Sequence, residues 1–112
     1  MSAVKNLYID QGSDFNVRIT IYDNNNLPWN LDGYTGESMI RKSYYSSTFT
    51  PFTVTFADVR SSGTIVLELS STQTKSLEQG RYLYDVLITD EHGKKTRVLE
   101  GIVTINPGVT WT

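Results

Sequence analysis

Apolar and polar side chains alternate with a period of two along most of this chain, the pattern of strands that bury one face. Phe15, Val17, Ile19 and Ile21 alternate with Asn16, Arg18 and Thr20, so four apolar side chains share one face. A helix would scatter them around its axis, and their β-branched content also favours a strand. Leu7 and Ile9 face one way in a shorter segment over residues 5–10. Gln11-Gly12-Ser13 separates the two segments, which predicts a first edge strand crossing a bend. Phe52, Val54 and Phe56 alternate after Pro51, and Ile65, Leu67 and Leu69 alternate after turn-forming residues 58–63. Residues 34–42 read as a further strand whose inner face the pattern leaves open. Residues 82–89 and 94–105 complete the set. The turn Asp90-Glu91-His92-Gly93 joins them, and its last glycine suits a type I turn followed by a left-handed residue. Gly101 interrupts the final segment, where a bulge is expected.

Asp23-Asn24-Asn25-Asn26 ends the Phe15 strand, and Pro28 cannot donate to a central ladder. Residues 43–50 are polar and aromatic without periodicity and read as an exposed loop. The one helical candidate is a single turn through Thr72-Gln73-Thr74-Lys75, capped by Ser70 or Ser71. It is too short to stand alone and is expected to bridge two sheets at one end. About seven strands separated by turn signals predict an all-β sandwich with one short helical turn between Ser71 and Leu77. A chain of 112 residues suits one such domain over 1–112, with 106–112 as a C-terminal tail.

The segment Leu77-Glu78-Gln79-Gly80-Arg81-Tyr82-Leu83-Tyr84-Asp85-Val86 makes the expected sandwich Ig-like. In such folds a tyrosine near the start of a late strand bonds back to the backbone a few residues upstream and locks a corner. Tyr82 occupies that structural corner. Tyr84 takes the slot where antibody domains carry a disulfide cysteine. The plainer reading makes both tyrosines core-edge residues with hydroxyls satisfied at the rim. Both readings give the same fold, and neither makes the tyrosines catalytic.

Charged residues make up 20% of the chain and the formal net charge is −2, which offers no broad basic surface for nucleic acid or anionic lipid. Lys94, Lys95 and Arg97 form the only basic cluster and read as a solvated face or a blunted sheet edge. The chain contains no cysteine, which excludes disulfides, thiolate catalysis and zinc–sulfur sites. His92 sits on a turn tip that supplies neither an orienting partner nor a nucleophile. Asp23 with its three asparagines lacks the acidic spacing of a calcium loop. Glu37, Glu68, Asp85 and Glu100 read as surface positions on alternating strands, not as a catalytic carboxylate pair. The expectation is a non-enzymatic protein without cofactors or metal, made in a cytoplasm. Trp29, Tyr44, Tyr45, Phe49 and Trp111 fall in loops or the tail and are candidate docking residues, since aromatics are enriched at binding hot spots. Each alternatively folds down over one end of the sandwich.

Four ordered runs resemble a known family. They are Ile9-Asp10-Gln11-Gly12-Ser13-Asp14-Phe15, Trp29-Asn30-Leu31-Asp32-Gly33-Tyr34-Thr35 leading to Ile40-Arg41-Lys42, and Gly63-Thr64-Ile65 through Thr72-Gln73-Thr74 to the Tyr82 strand. The last is Asp90-Glu91-His92-Gly93 through Leu99-Glu100-Gly101 to Val103-Thr104-Ile105. Together they span nearly the whole chain and resemble the small Ig-like virion modules of tailed bacteriophages, such as the N-terminal domain of siphophage baseplate upper proteins and its stand-alone relatives. The resemblance implies a virion structural protein that docks in multiple copies on other virion proteins. Its partner would be the major capsid protein (decoration or cement) or tail and baseplate proteins (adaptor), with no catalytic residues. Those baseplate proteins continue into a fibre-like region, whereas this sequence ends at Thr112. The rival expectation is a module that binds host-surface carbohydrate, stacking sugars on Trp29, Tyr44 and Tyr45.

Overall fold

In the computed structural model, which describes residues 3–43 and 48–109, the alternating segments stack as two sheets with their apolar positions between them. The elements are β1 (Ala3–Val4), β2 (Leu7–Asp10), β3 (Phe15–Thr20), β4 (Thr35–Arg41), β5 (Thr50–Pro51) and β6 (Thr53–Phe56). A 3-10 turn at Arg60–Ser62 follows, then β7 (Thr64–Leu69), α1 (Ser71–Ser76), β8 (Gly80–Thr89) and β9 (Lys95–Asn106). The larger sheet has the order β1-β9-β8-β4-β5, with β2 also on β9, and the smaller has the order β3-β7-β6. This is an all-β sandwich. The seven expected strands are present, and two short ones the pattern did not predict are added: β1 ahead of the first, and β5 where residues 43–50 read as loop up to Pro51. β5 pairs with β4 and β6 with β7, so the chain changes sheets at Phe52, whose amide donates to the Ser38 carbonyl at 2.9 Å.

Ile19, Ile65 and Leu67 of the smaller sheet meet Ile40, Val86, Ile88 and Val103 of the larger one in the core. Each such side chain contributes about 1.5–3 kcal/mol by leaving water. Ser38 and Ile40 are both buried, which settles the inner face of β4. The Ser38 hydroxyl is satisfied there by donating to the Asp85 carbonyl at 2.6 Å. Helix α1 bridges the two sheets. Ser70 caps it in a reciprocal capping box with Gln73. Buried Thr74 donates to the Ser13 carbonyl at 2.8 Å and accepts from the Gly12 amide at 3.1 Å. Asp14 accepts from the Ser71 amide at 2.7 Å, and Gln11 donates to the Leu77 carbonyl at 2.7 Å. The bend at residues 11–14 and the helix thus hold each other.

Two expectations are corrected in β9. The bulge is not at Gly101. Val86 pairs with Leu99 and Leu87 with Arg97, so the extra residue is Val98, and Val98 and Leu99 are both buried. Gly101 answers a different need. β1 and β2 lie parallel to β9 in one register, Ala3 opposite Leu99 and Leu7 opposite Val103, with a break at Lys5 and Asn6. In that break the Lys5 carbonyl turns over Gly101 and accepts from the Tyr84 hydroxyl at 2.6 Å, while Asn6 Oδ1 accepts from the Ile102 amide at 3.1 Å. A Cβ at position 101 would run into the Lys5 carbonyl. The second correction concerns the tail. Asn106 pairs with Asp10 as the last residue of β9, so the tail begins at Pro107.

The break can be probed from both of its partners. Gly101→Ala is expected to lose about 1–3 kcal/mol in urea unfolding, because strand and carbonyl must separate to admit the methyl group. Tyr84→Phe is expected to lose about 1–2 kcal/mol by leaving the carbonyl unpaired. Burial pushes the Tyr84 phenol up from 10.0 to about 12. Because the unfolded state ionises first, the Tyr84 contribution is complete below pH 10 and is lost as pH rises through 12. Absorbance titration of the phenols with and without Tyr84→Phe checks this, the wild type showing one late-titrating tyrosine that the variant lacks.

Candidate functional site

Strand alternation that sends Tyr84, Val86 and Ile88 inward also sends Leu83, Asp85 and Leu87 to the outer face of the larger sheet. The register aligns three rows across that face: Glu37–Leu87–Arg97, Met39–Asp85–Glu100 and Arg41–Leu83–Ile102. Val4, opposite Glu100 on β1, extends the second row. These side chains line a shallow trough of about 800 Å³. A sheet with one face on the core usually shows polar residues on the other. Here Met39, Leu83 and Leu87 are half-buried, Ile102 is 38% exposed and Val4 is 73% exposed. Apolar side chains run across the face with charge at its margins, and one carboxylate, Asp85, stands between Leu83 and Leu87 on the central strand.

The bulge at Val98 decides which charges frame it. Counted inward from Ile105, Val103, Gly101 and Leu99, strict alternation would point Arg97 into the core. The extra residue reverses the phase, and Arg97 emerges on the outer face with Nε 3.1 Å from Asp85 Oδ2. An exposed pair of this kind contributes roughly 0–1 kcal/mol to stability, so its importance lies in fixing where the two charges stand.

Of the residues singled out in the sequence, Phe49 is 48% exposed and its ring lies 5.1 Å from the Arg41 guanidinium, beside the trough. Trp29 lies elsewhere. It packs edge-on to Tyr34 at 6.3 Å and against the core. The same end is clasped by Arg60, which donates to the Leu31 and Tyr34 carbonyls at 3.3 and 2.9 Å with its guanidinium 4.2 Å from the Phe56 ring. Tyr44, Tyr45 and Trp111 lie outside the described residues. The Tyr82 hydroxyl donates to the Glu78 carbonyl at 2.9 Å, four residues upstream, which is the bond of a tyrosine corner. Lys42 Nζ stands 4.7 Å over the Tyr82 ring. Sequence reasoning missed Met39, Leu83, Leu87 and Ile102. Their signal was present in part: residues 82–88 are, apart from Asp85, apolar in both phases of the alternation, as in a strand covered on both sides.

The turns use their carboxylates internally. Asp90 accepts from the Lys94 and His92 amides at 2.8 and 2.9 Å, and the Lys94 amide above all holds its carboxyl below the usual carboxylate range. Asp23 accepts from the Asn25 and Leu27 amides at 2.9 and 3.0 Å. His92 is exposed, 3.9 Å from Glu91. Among the described residues no group of three His, Asp or Glu side chains is placed to hold a metal ion, and no helix is long and apolar enough to cross a membrane. The chemistry this arrangement offers is that of a contact surface.

No protein-family model matches this chain, and no curated protein matches it in sequence. Among solved structures it is similar to an internalin-like protein of Listeria monocytogenes, with a TM-score of 0.50 at 18% identity over 94% of this chain. The match covers 28% of that protein, so this chain spans a little over a quarter of its length. At such identity the likeness concerns the fold alone. By fold, then, the chain is an all-β sandwich domain similar to a segment of an internalin-like protein.

Proposed function

We propose that this chain is a non-enzymatic accessory module of a tailed bacteriophage particle, made in the host cytoplasm and carried in multiple copies on the head or tail. It works by protein–protein contact through the outer face of its larger sheet. The observation that carries the contact reading is the apolar run of Met39, Leu83, Leu87 and Ile102 on a sheet face that the core does not use. Contact surfaces concentrate apolar side chains at their centre and charge at their rim, and Glu37, Arg41 and Arg97 stand at the margins of the rows. The virion part of the reading rests on the ordered sequence runs from Ile9 to Ile105. A single small face gains modest affinity, and repeated copies on a symmetric particle multiply it. The net charge of −2 fits protein partners better than nucleic acid or an anionic membrane.

Particles purified from a producing culture are expected to contain the chain by mass spectrometry, and imaging is expected to place it at symmetry-related positions on head or tail. Leu83→Asp combined with Leu87→Asp should deplete it from particles about tenfold or more, because charge is driven into the contact, while the soluble variant keeps its β-sheet circular dichroism. Absence of the wild-type chain from particles would overturn the virion reading. Full retention of the folded double variant would overturn the contact face.

A further inference from the structure

We infer that the outer face of the larger sheet pairs with the same face of a second copy of this chain, an inference resting on the reading of that face as a protein-contact surface. The argument is one of self-complementary charge. β4 and β9 flank β8, and their outward residues in the first row are Glu37 and Arg97, with Leu87 between them. A two-fold axis lying in the interface and running along β8 exchanges the flanking strands. Glu37 of one copy then faces Arg97 of the other, and the reverse contact forms at the same time. Leu83 and Leu87 lie next to the axis and meet their own counterparts. Such an isologous contact closes on itself and builds a dimer, not a filament.

Charge complementarity lies in the first row; in the second the same axis sets Met39 of one copy against Glu100 of the other, where the methionine meets the stem of the glutamate and the carboxylate stays at the edge. Asp85 also lies near the axis, where two copies bring like charges together, and each is already held by its own Arg97 at 3.1 Å. Arg97 therefore serves two carboxylates, Asp85 within the chain and Glu37 of the mate. Arg41 in the third row faces Ile102 of the mate, with the Phe49 ring 5.1 Å from its guanidinium within the chain. Aligned packing of two sheets at about 10 Å with strands within about 30° requires no change in either backbone.

Charge exchange between copies provides the test. Sedimentation equilibrium of the full chain from about 1 μM to about 1 mM, a range that reports contacts of modest area, should show the 12.7 kDa mass doubling with concentration. Glu37→Arg and Arg97→Glu are each expected to weaken pairing about tenfold or more, since each sets like charges face to face. A mixture of the two variants should pair again. One chain then presents arginine at both positions and the other glutamate at both, so every facing pair is once more of opposite charge. Loss of packing within a single chain would not be restored by mixing. A wild-type chain that stays monomeric throughout, or variants whose mixture does not pair, would overturn the inference. If the wild type is monomeric while Leu83→Asp with Leu87→Asp still removes the chain from particles, pairing fails and the contact face stands. If neither property responds to those substitutions, both fail together.

Discussion

The two sheets are joined through a column of three aromatic rings. Tyr84 of the larger sheet meets Phe52 at 6.0 Å, and Phe52 meets Phe15 of the smaller sheet at 6.2 Å, each pair tilted or edge-on. Such pairs contribute about 0.5–1.5 kcal/mol beyond the area they bury. Phe52 also lies at the point where the chain leaves one sheet for the other, so the column pins that crossing. The Tyr84 hydroxyl then reaches past the column to the Lys5 carbonyl, which ties the first strand to the same centre. With no cysteine in the chain, buried aromatic area and one interior hydrogen bond take the place of a covalent bridge.

From that centre outward, the polar devices of the fold serve its ends. Thr74, Gln11 and Asp14 tie α1 to the bend before β3, and Arg60 ties the Leu31–Tyr34 turn to Phe56 at the end where Trp29 packs. Gln11, Asp14 and Thr74 at one end and Arg60 at the other thus serve as clasps within the fold. The side chains on the outer face of the larger sheet have no such duty, because they belong to neither core nor corner.

The bulge at Val98 links fold to surface. It lets two consecutive apolar residues enter the core, and it turns the remainder of β9 by one phase. Bulges recur where a protein must re-aim a side chain. Here the re-aimed side chain is Arg97, which would otherwise be a buried cation without a carboxylate. One inserted residue therefore does two things, improving the core and setting a positive charge beside Asp85 at the margin of an apolar trough.

The seven main strands, the capped turn at Ser71–Ser76 and the core faces of the clearly alternating strands follow from local alternation, capping chemistry and turn residues, and the sequence by itself determined them. Those features depend on neighbours a few residues away, so a linear reading reaches them. What the tertiary structure decided depends on pairing. Gly101 reads locally as a bulge, yet its role comes from Lys5, far away in sequence, crossing over it. The inner face of β4 became definite only when Ser38 found the Asp85 carbonyl. Loop aromatics drew attention in the sequence because irregular segments free them from packing, and Trp29 shows that a loop ring can still be taken up by the core. The trough was harder to see. Met39, Leu83 and Ile102 are ordinary apolar residues in three separate strands, and only the β4–β8–β9 register places them side by side.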